Sequence, residues 1–185
     1  MDTSDFRNGI SIIMDNDIWT IVDFQHVKPG KGGAFVRSTL RNVRSLKVID
    51  KTWRGGERME QAYLDRRTLQ YLYNDGTDYF LMDPETFDQI SISKEQIGSG
   101  IKYLKENMEL SVMYHKDTII NIEVPNFVEL EVTETMGNEK GDTAAGGGKP
   151  ATVETGAVVN VPFFVKVGDK IKIDTRNDLY LERVK

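Results

Sequence analysis

His26-Val-Lys-Pro-Gly-Lys-Gly-Gly-Ala-Phe-Val-Arg37 is the stretch on which the reading of this chain turns. Residues 24–27 run in, residues 34–40 run out, and almost everything between is a turn former, the pattern of a β-hairpin. Pro29 presets its φ for the second position of a β-turn. Gly30 follows where a type II turn requires positive φ, so a tight reversal is expected at Pro29-Gly30. Lys31 then stands between Gly30 and Gly32-Gly33, a long cationic side chain at an apex with no neighbouring Cβ to crowd it. Solubility alone does not call for these glycines, because each loses more freedom on ordering than any other residue.

The charge around the tip separates it from the rest of the chain. The whole protein is acidic, with 24 Lys plus Arg against 29 Asp plus Glu and a net charge of -5. Residues 26–54 carry eight cations (Lys28, Lys31, Arg37, Arg41, Arg44, Lys47, Lys51, Arg54) and one anion, Asp50, so this segment stands at +7 and the remainder at -12. A basic end on an acidic body suits a protein that offers one region to a polyanion; a solvated charged face is the plainer reading of the same residues.

Working outward, residues 10–14 and 18–24 are apolar runs around Asp15-Asn16-Asp17, and they read as a first hairpin. A calcium loop there would need a later glycine and glutamate that are missing. Beyond the tip, Val36 and Leu40 alternate with Arg37 and Arg41, giving one buried and one cationic face. Val43, Leu46 and Val48 fall out of that phase, which implies a bulge or bend near Asn42. Residues 47–53 form a further strand, Arg54-Gly-Gly-Glu57 breaks it, and a small all-β domain closes near residue 62.

The next unit opens with residues 69–73 and 79–82 around Asn74-Asp75-Gly76, a strong hairpin signal whose tyrosines read as cross-strand packing in preference to a base-stacking platform. Ser93-Lys-Glu-Gln96 fits a capping box and starts a short helix running through Ile101, Leu104 and Met108, weakened by Gly98 and Gly100. Strands at 110–114 and 118–124 surround His115-Lys116-Asp117, and Pro125 ends the unit. Residues 127–133 alternate strictly, and a glycine-rich loop spans 137–150. A phosphate-loop reading of its Gly148-Lys149 fails, because Thr143 stands where glycine is required and Pro150 where Ser or Thr is required. Short strands at 157–167, 171–174 and 179–184 complete the chain. The fold class is therefore all-β, as three small consecutive domains at 1–62, 63–126 and 127–185.

The inventory argues against an enzyme. There is no cysteine and only His26 and His115, so a nucleophile and base would have to recruit one of these two, and no metal-ligand or cofactor pattern accompanies either. The N-terminus lacks the apolar core of a signal peptide and no apolar run approaches a membrane span, so a cytoplasmic protein with no membrane partner is expected.

Taken together, Asp5-Phe6-Arg7, the stretch from Phe24 to Arg37, Tyr71-Leu-Tyr-Asn-Asp-Gly76, Asn126-Phe-Val-Glu-Leu130, Gly141-Asp-Thr-Ala144, Lys149-Pro-Ala-Thr-Val-Glu-Thr-Gly156 and Tyr180-Leu-Glu-Arg-Val-Lys185 give the chain a close resemblance to bacterial elongation factor P along its whole length. The resemblance implies a KOW-like (SH3-like) first barrel and two OB-like barrels, set as an L that mimics tRNA. It implies a monomer that binds the ribosome between the peptidyl-tRNA and exit sites and relieves stalling at consecutive prolines.

In that family the hairpin tip reaches the acceptor end of the peptidyl-tRNA and its tip residue is often enlarged by a lysine-modifying enzyme. Lys31 matches that position. Lys28, Pro29, Gly30, Gly32, Gly33 and Arg37 are then expected to meet RNA backbone, ribosomal or transfer. Gly141, Asp142, Thr143 and Ala144 match a third-domain loop facing the small subunit and the exit-site mRNA codon, and Arg41, Tyr180 and Arg183 are further candidate RNA contacts. The other class of reading is a generic KOW/OB RNA-binding module in which Lys31 is one phosphate contact among several.

Overall fold

The computed structural model describes residues 1–136 and 147–184. The first hairpin forms where the acidic turn residues demand it. Asp15 and Asn16 both take left-handed φ, 54° and 61°, which their short polar side chains tolerate, so Met14 pairs with Asp17 across a two-residue turn. That pairing sets strand β1 (Ser11–Met14) against β2 (Asp17–Val27). The strands β3 (Phe35–Asn42), β4 (Val48–Arg54) and β5 (Glu60–Ala62) complete a five-stranded sheet in the order β4-β3-β2-β1-β5.

This sheet belongs to a compact unit made of Met1–Arg67 together with Met113–Asn121. Its core gathers Phe6, Ile12, Ile21, Val36, Leu40 and Trp53. The Phe6 ring is fully buried and meets Phe24 and Trp53 edge-on, at 6.3 and 5.8 Å between centroids. The one polar atom Trp53 brings into that core, Nε1, donates to Ser38 Oγ at 2.7 Å. A second cluster joins Ile18, Val43 and Ala62 to Met113 and Ile120.

The expected disturbance near Asn42 is a bend, and it has a local cause. The nearly buried Asn42 side chain accepts from the backbone N–H groups of Arg44 and Ser45 at 2.9 and 2.7 Å and donates to Asp17 Oδ2 at 2.6 Å. One amide thus closes the β3–β4 connection and ties it to β2.

Later strands are β6 (Asp65–Asn74), β7 (Asp78–Met82), β8 (Gln89–Ser93), β9 (Glu109–His115) and β10 (Thr118–Glu123), ordered β10-β9-β6-β7-β8. The expected hairpin at Asp75-Gly76 is present: Gly76 has φ +99° and Asp75 Oδ1 accepts from the N–H groups of Thr77 and Asp78. Tyr71 lies tilted against Tyr79 and Tyr73 stacks on Phe80 at 4.7 Å, so these aromatics do pack across the strand pair.

The helix is shorter than expected. Ser93 and Gln96 form the capping box, with Ser93 N donating to Gln96 Oε1 at 2.9 Å, yet α1 covers only Lys94–Ile97. Gly98 turns to φ +69° and a 3-10 helix, Gly98–Tyr103, takes over, so Met108 lies outside it. Gly100 has no room for a side chain, because a Cβ there would lie 2.5 Å from Val124 Cγ2.

The C-terminal strands close into a barrel, β11-β12-β13-β15-β14, from β11 (Phe127–Thr135), β12 (Gly148–Val153), β13 (Val158–Pro162), β14 (Lys170–Asp174) and β15 (Leu179–Val184). The strict alternation of β11 puts Val128, Leu130 and Val132 inside, and a parallel bridge from Asn160 to Leu179 closes the ring. Two expected boundaries are corrected. Residues 148–150 are strand, because they pair with residues 160–162, and the strand expected over 157–167 ends at Pro162, which has no N–H to extend the ladder.

Tyr103 joins the barrel's core cluster from outside its strands. Its hydroxyl donates to Asp178 Oδ1 at 2.7 Å, and Lys102 Nζ reaches Asp178 Oδ2 at 2.6 Å. Burial, followed by the bond to Asp178, pushes the Tyr103 phenol far up, while Lys102 first and Tyr103 second hold the Asp178 carboxyl below its ordinary value.

A depressed carboxyl contributes stability that is present above its unfolded pKa, about 3.9, and is lost as pH falls through the folded value. Asp178 has φ +59°, which Asn tolerates, so Asp178→Asn changes the charge without straining the turn. The variant is expected to melt about 2–4 °C below wild type at pH 7, with the gap narrowing as pH falls below about 3.9 and through the lower folded value. Thermal unfolding followed by circular dichroism across that pH range checks it; a gap independent of pH would count against the ion pair.

Candidate nucleic-acid interface

The long β2–β3 hairpin carries most of the expected site residues. Its ladder ends at Val27↔Phe35, and residues 28–34 beyond that pair are all exposed. Lys28, Pro29, Gly30, Lys31, Gly32 and Gly33 are therefore gathered at one apex. Among the described residues, neither Lys28 nor Lys31 forms a hydrogen bond or ion pair.

The tip does not reverse where a type II turn would place it. Gly30 does not have positive φ; Gly32 does, at +111°. Seven residues lie between the strands, so the reversal is spread over a loop, and the glycine that needs its freedom is the one after Lys31. A Cβ on Gly32 would sit 3.8 Å from Pro29 Cγ, so the proline ring lies beside it.

Below the tip, β3 keeps the expected alternation. Val36, Ser38 and Leu40 are buried, while Arg37 and Arg41 are exposed on the opposite face. Arg37 lies between Gln25 and Thr52 in the ladder, with its guanidinium 5.5 Å from the centroid of the Phe35 ring. Arg41 lies lower, between Thr20 and Val48.

Three features of this region were not foreseen. Lys51 caps the Trp53 ring at 4.5 Å, an arrangement that spacing by two on a strand permits. A shallow groove of about 400 Å³ is lined by residues of β2, β3 and β4, among them Asp23, Gln25, Arg37, Thr39, Asp50 and Lys51. The third feature holds the apex where it rejoins β3. Gly55 N–H donates to Ala34 O at 2.8 Å, and a Cβ on Gly55 would stand 2.8 Å from that same oxygen.

The remaining expected residues lie elsewhere. Tyr180 and Arg183 are on β15 of a second compact unit, Thr68–Val112 with the chain from Ile122 onward. Tyr180 packs against the barrel core, where burial pushes its phenol up. Arg183 faces Asp169 at 3.6 Å and lies over the Phe164 ring. Tyr180 is thus half-buried and Arg183 exposed on the barrel unit. Gly141, Asp142, Thr143 and Ala144 lie outside the described residues. Lys149, nearly buried in β12, donates to Met136 O at 2.7 Å. Of the two histidines, His26 meets Phe24 edge-on at 5.5 Å and His115 Nδ1 lies 3.0 Å from Tyr63 O. No group of three or more His, Asp or Glu able to hold a metal ion is found among the described residues.

Three family models cover the chain in order: the elongation factor P KOW-like domain at residues 2–59, the elongation factor P OB domain at 64–122, and the elongation factor P C-terminal domain at 128–183. The chain belongs to the elongation factor P family. It is 56% identical over 182 residues to elongation factor P of Pelotomaculum thermopropionicum and 55% identical over 182 residues to that of Carboxydothermus hydrogenoformans, with 98% of each chain covered in both cases. Among solved structures, a translation initiation factor 5A family protein from Naegleria fowleri shares the fold at TM-score 0.52 and 15% identity, over 67% of this chain and 96% of that one. The sequence's expectation of an all-β fold with KOW-like and OB domains stands. No helix among the described residues is long and apolar enough to cross a membrane.

In this elongation factor P chain a methyl added at Gly55 meets backbone where the apex rejoins β3. Gly55→Ala is expected to cost about 1–3 kcal/mol in a urea titration, because the clash is with backbone that cannot rotate away. It should also raise amide exchange at residues 34–36. Unchanged stability and exchange would show that the contact yields easily.

Proposed function

We propose that this protein acts as a non-enzymatic translation elongation factor in the cytoplasm. As a monomer it binds the ribosome between the peptidyl-tRNA and exit sites and stimulates peptide-bond formation at consecutive prolines. The observation that carries the reading is Lys31, exposed at the apex of a hairpin whose Ala34 is held by Gly55, and without a partner among the described residues. Membership of the elongation factor P family supports it.

Proline's fixed φ and secondary amine make it a slow participant in peptide transfer. A cationic finger packed on the acceptor end of the peptidyl-tRNA holds the reacting ester in a productive pose, and positioning of this kind is a large part of many rate enhancements. The ribosome supplies the chemistry. Lys28 and Arg37, with the backbone of Pro29, Gly30, Gly32 and Gly33, contact RNA phosphates and sugars, which orient without reading sequence. Arg41 adds a lower contact on the same face. The unpartnered Lys31 ammonium is open to a lysine-modifying enzyme that lengthens the finger. Domains at 1–62, 63–126 and 127–185 divide the work, with residues 141–144 of the third directed to the exit-site codon.

The test is synthesis of a polyproline-containing reporter in a reconstituted translation system, using natively modified protein beside Lys31→Ala. Wild type is expected to relieve the stall and the variant to fall to about the factor-free rate, with folding stability unchanged within about 0.5 kcal/mol. A graded, similar loss across Lys28, Lys31, Arg37 and Arg41, each lowering the salt slope of RNA binding by about one, would instead favour the generic RNA-binding module. Failure of natively modified wild type to relieve the stall would overturn the elongation reading.

A further inference from the structure

Between Arg67 and Lys94 the sequence has five carboxylates, Asp75, Asp78, Asp83, Glu85 and Asp88, and no cation. The β7–β8 hairpin in this stretch leaves aromatic surface uncovered. Tyr73, 47% exposed, stacks on Phe80 across the β6–β7 pair, and Phe87, 69% exposed, stands on the connecting loop. Packing does not explain Phe87. Neither does its backbone: φ there is +62°, a conformation Asn or Gly adopts at less cost than a bulky residue. The loop is nevertheless well tied, with Phe87 N–H donating to Asp83 O at 2.8 Å and Asp83 N–H to Asp88 O at 2.9 Å.

We infer that the exposed Phe87, flanked on its own loop by Asp83, Glu85 and Asp88, docks a Lys- and Arg-bearing protein surface. Ring faces attract guanidinium and ammonium groups, and a rim of carboxylates adds to that attraction. Nucleic acid is disfavoured by the same charges, since platforms that stack bases pair their aromatics with cations. On the first sheet aromatic and cation do meet, at Arg37 over Phe35 and Lys51 over Trp53. An exposed aromatic set in a polar rim is the usual anatomy of a protein-binding hot spot. The inference rests on the ribosome-binding reading, because it places the partner among the basic proteins of the ribosome.

The full chain carrying a photoreactive benzophenone amino acid at position 87 is bound to purified ribosomes, sedimented and irradiated. The expected product is a cross-link to a ribosomal protein at a Lys- or Arg-rich peptide. Cross-linking only to RNA, only to a second copy of this chain, or to nothing while the chain still sediments with ribosomes overturns the docking surface and leaves the elongation reading intact. Failure to sediment at all removes both. Phe87→Asn, which suits the turn, is expected to keep the melting temperature and weaken ribosome binding about tenfold. Glu85→Lys is expected to weaken it in the same direction. Wild-type binding by both variants overturns the inference.

Discussion

Eight residue pairs, from Trp19↔Asn42 to Val27↔Phe35, set the register of β2 against β3, and the first unit depends on it. A slip of one residue would turn Val36 and Leu40 to solvent and drive Arg37 and Arg41 into the core, so register and charge placement are one constraint. The ladder is not uniform. Its pairing shifts between Ile21 and Asp23, which leaves Val22 exposed, and the core continues past that point through Phe24, Val36 and Trp53. The ladder itself ends at Val27↔Phe35, and the hydrogen bond and close approach of Gly55 hold Ala34 just beyond it.

Much of this was legible because the deciding residues act locally. Asp15-Asn16 and Asp75-Gly76 specify their turns through their own backbone preferences, and the alternations around Arg37 and Val128 report which face is buried. What escaped depends on distant partners. Gly55 reads as a strand breaker until Ala34 is brought against it, and Gly100 as a weak helix residue until Val124 is. Lys149 reads as a loop cation, whereas β12 buries it against Met136 O. At the tip, the Pro-Gly dipeptide implied a tighter turn than a seven-residue connection needs, so the positive φ moved on to Gly32.

The site residues show the same division. Those proposed on the hairpin were singled out by turn chemistry and charge, and all but Arg41 lie at or next to its apex. Tyr180 and Arg183 came from a sequence ending alone; Tyr180 packs on the barrel core, while Arg183 is exposed beside Asp169. Charge also sorts the two hairpins that present aromatics. Phe35 stands under an arginine, while Tyr73 and Phe87 stand in a stretch without cations, so similar rings suit opposite kinds of surface.

The first compact unit is not a contiguous piece of chain, because Met113 and Ile120 help bury Ile18, Val43 and Ala62. During synthesis, β1 to β5 emerge well before the segment that covers this cluster. The nascent N-terminal sheet must therefore wait, with part of its apolar underside wet, until about two-thirds of the polypeptide has left the tunnel. A factor that serves the ribosome thus completes its own first half late, and a chain that stopped short of residue 121 would release an incompletely covered sheet.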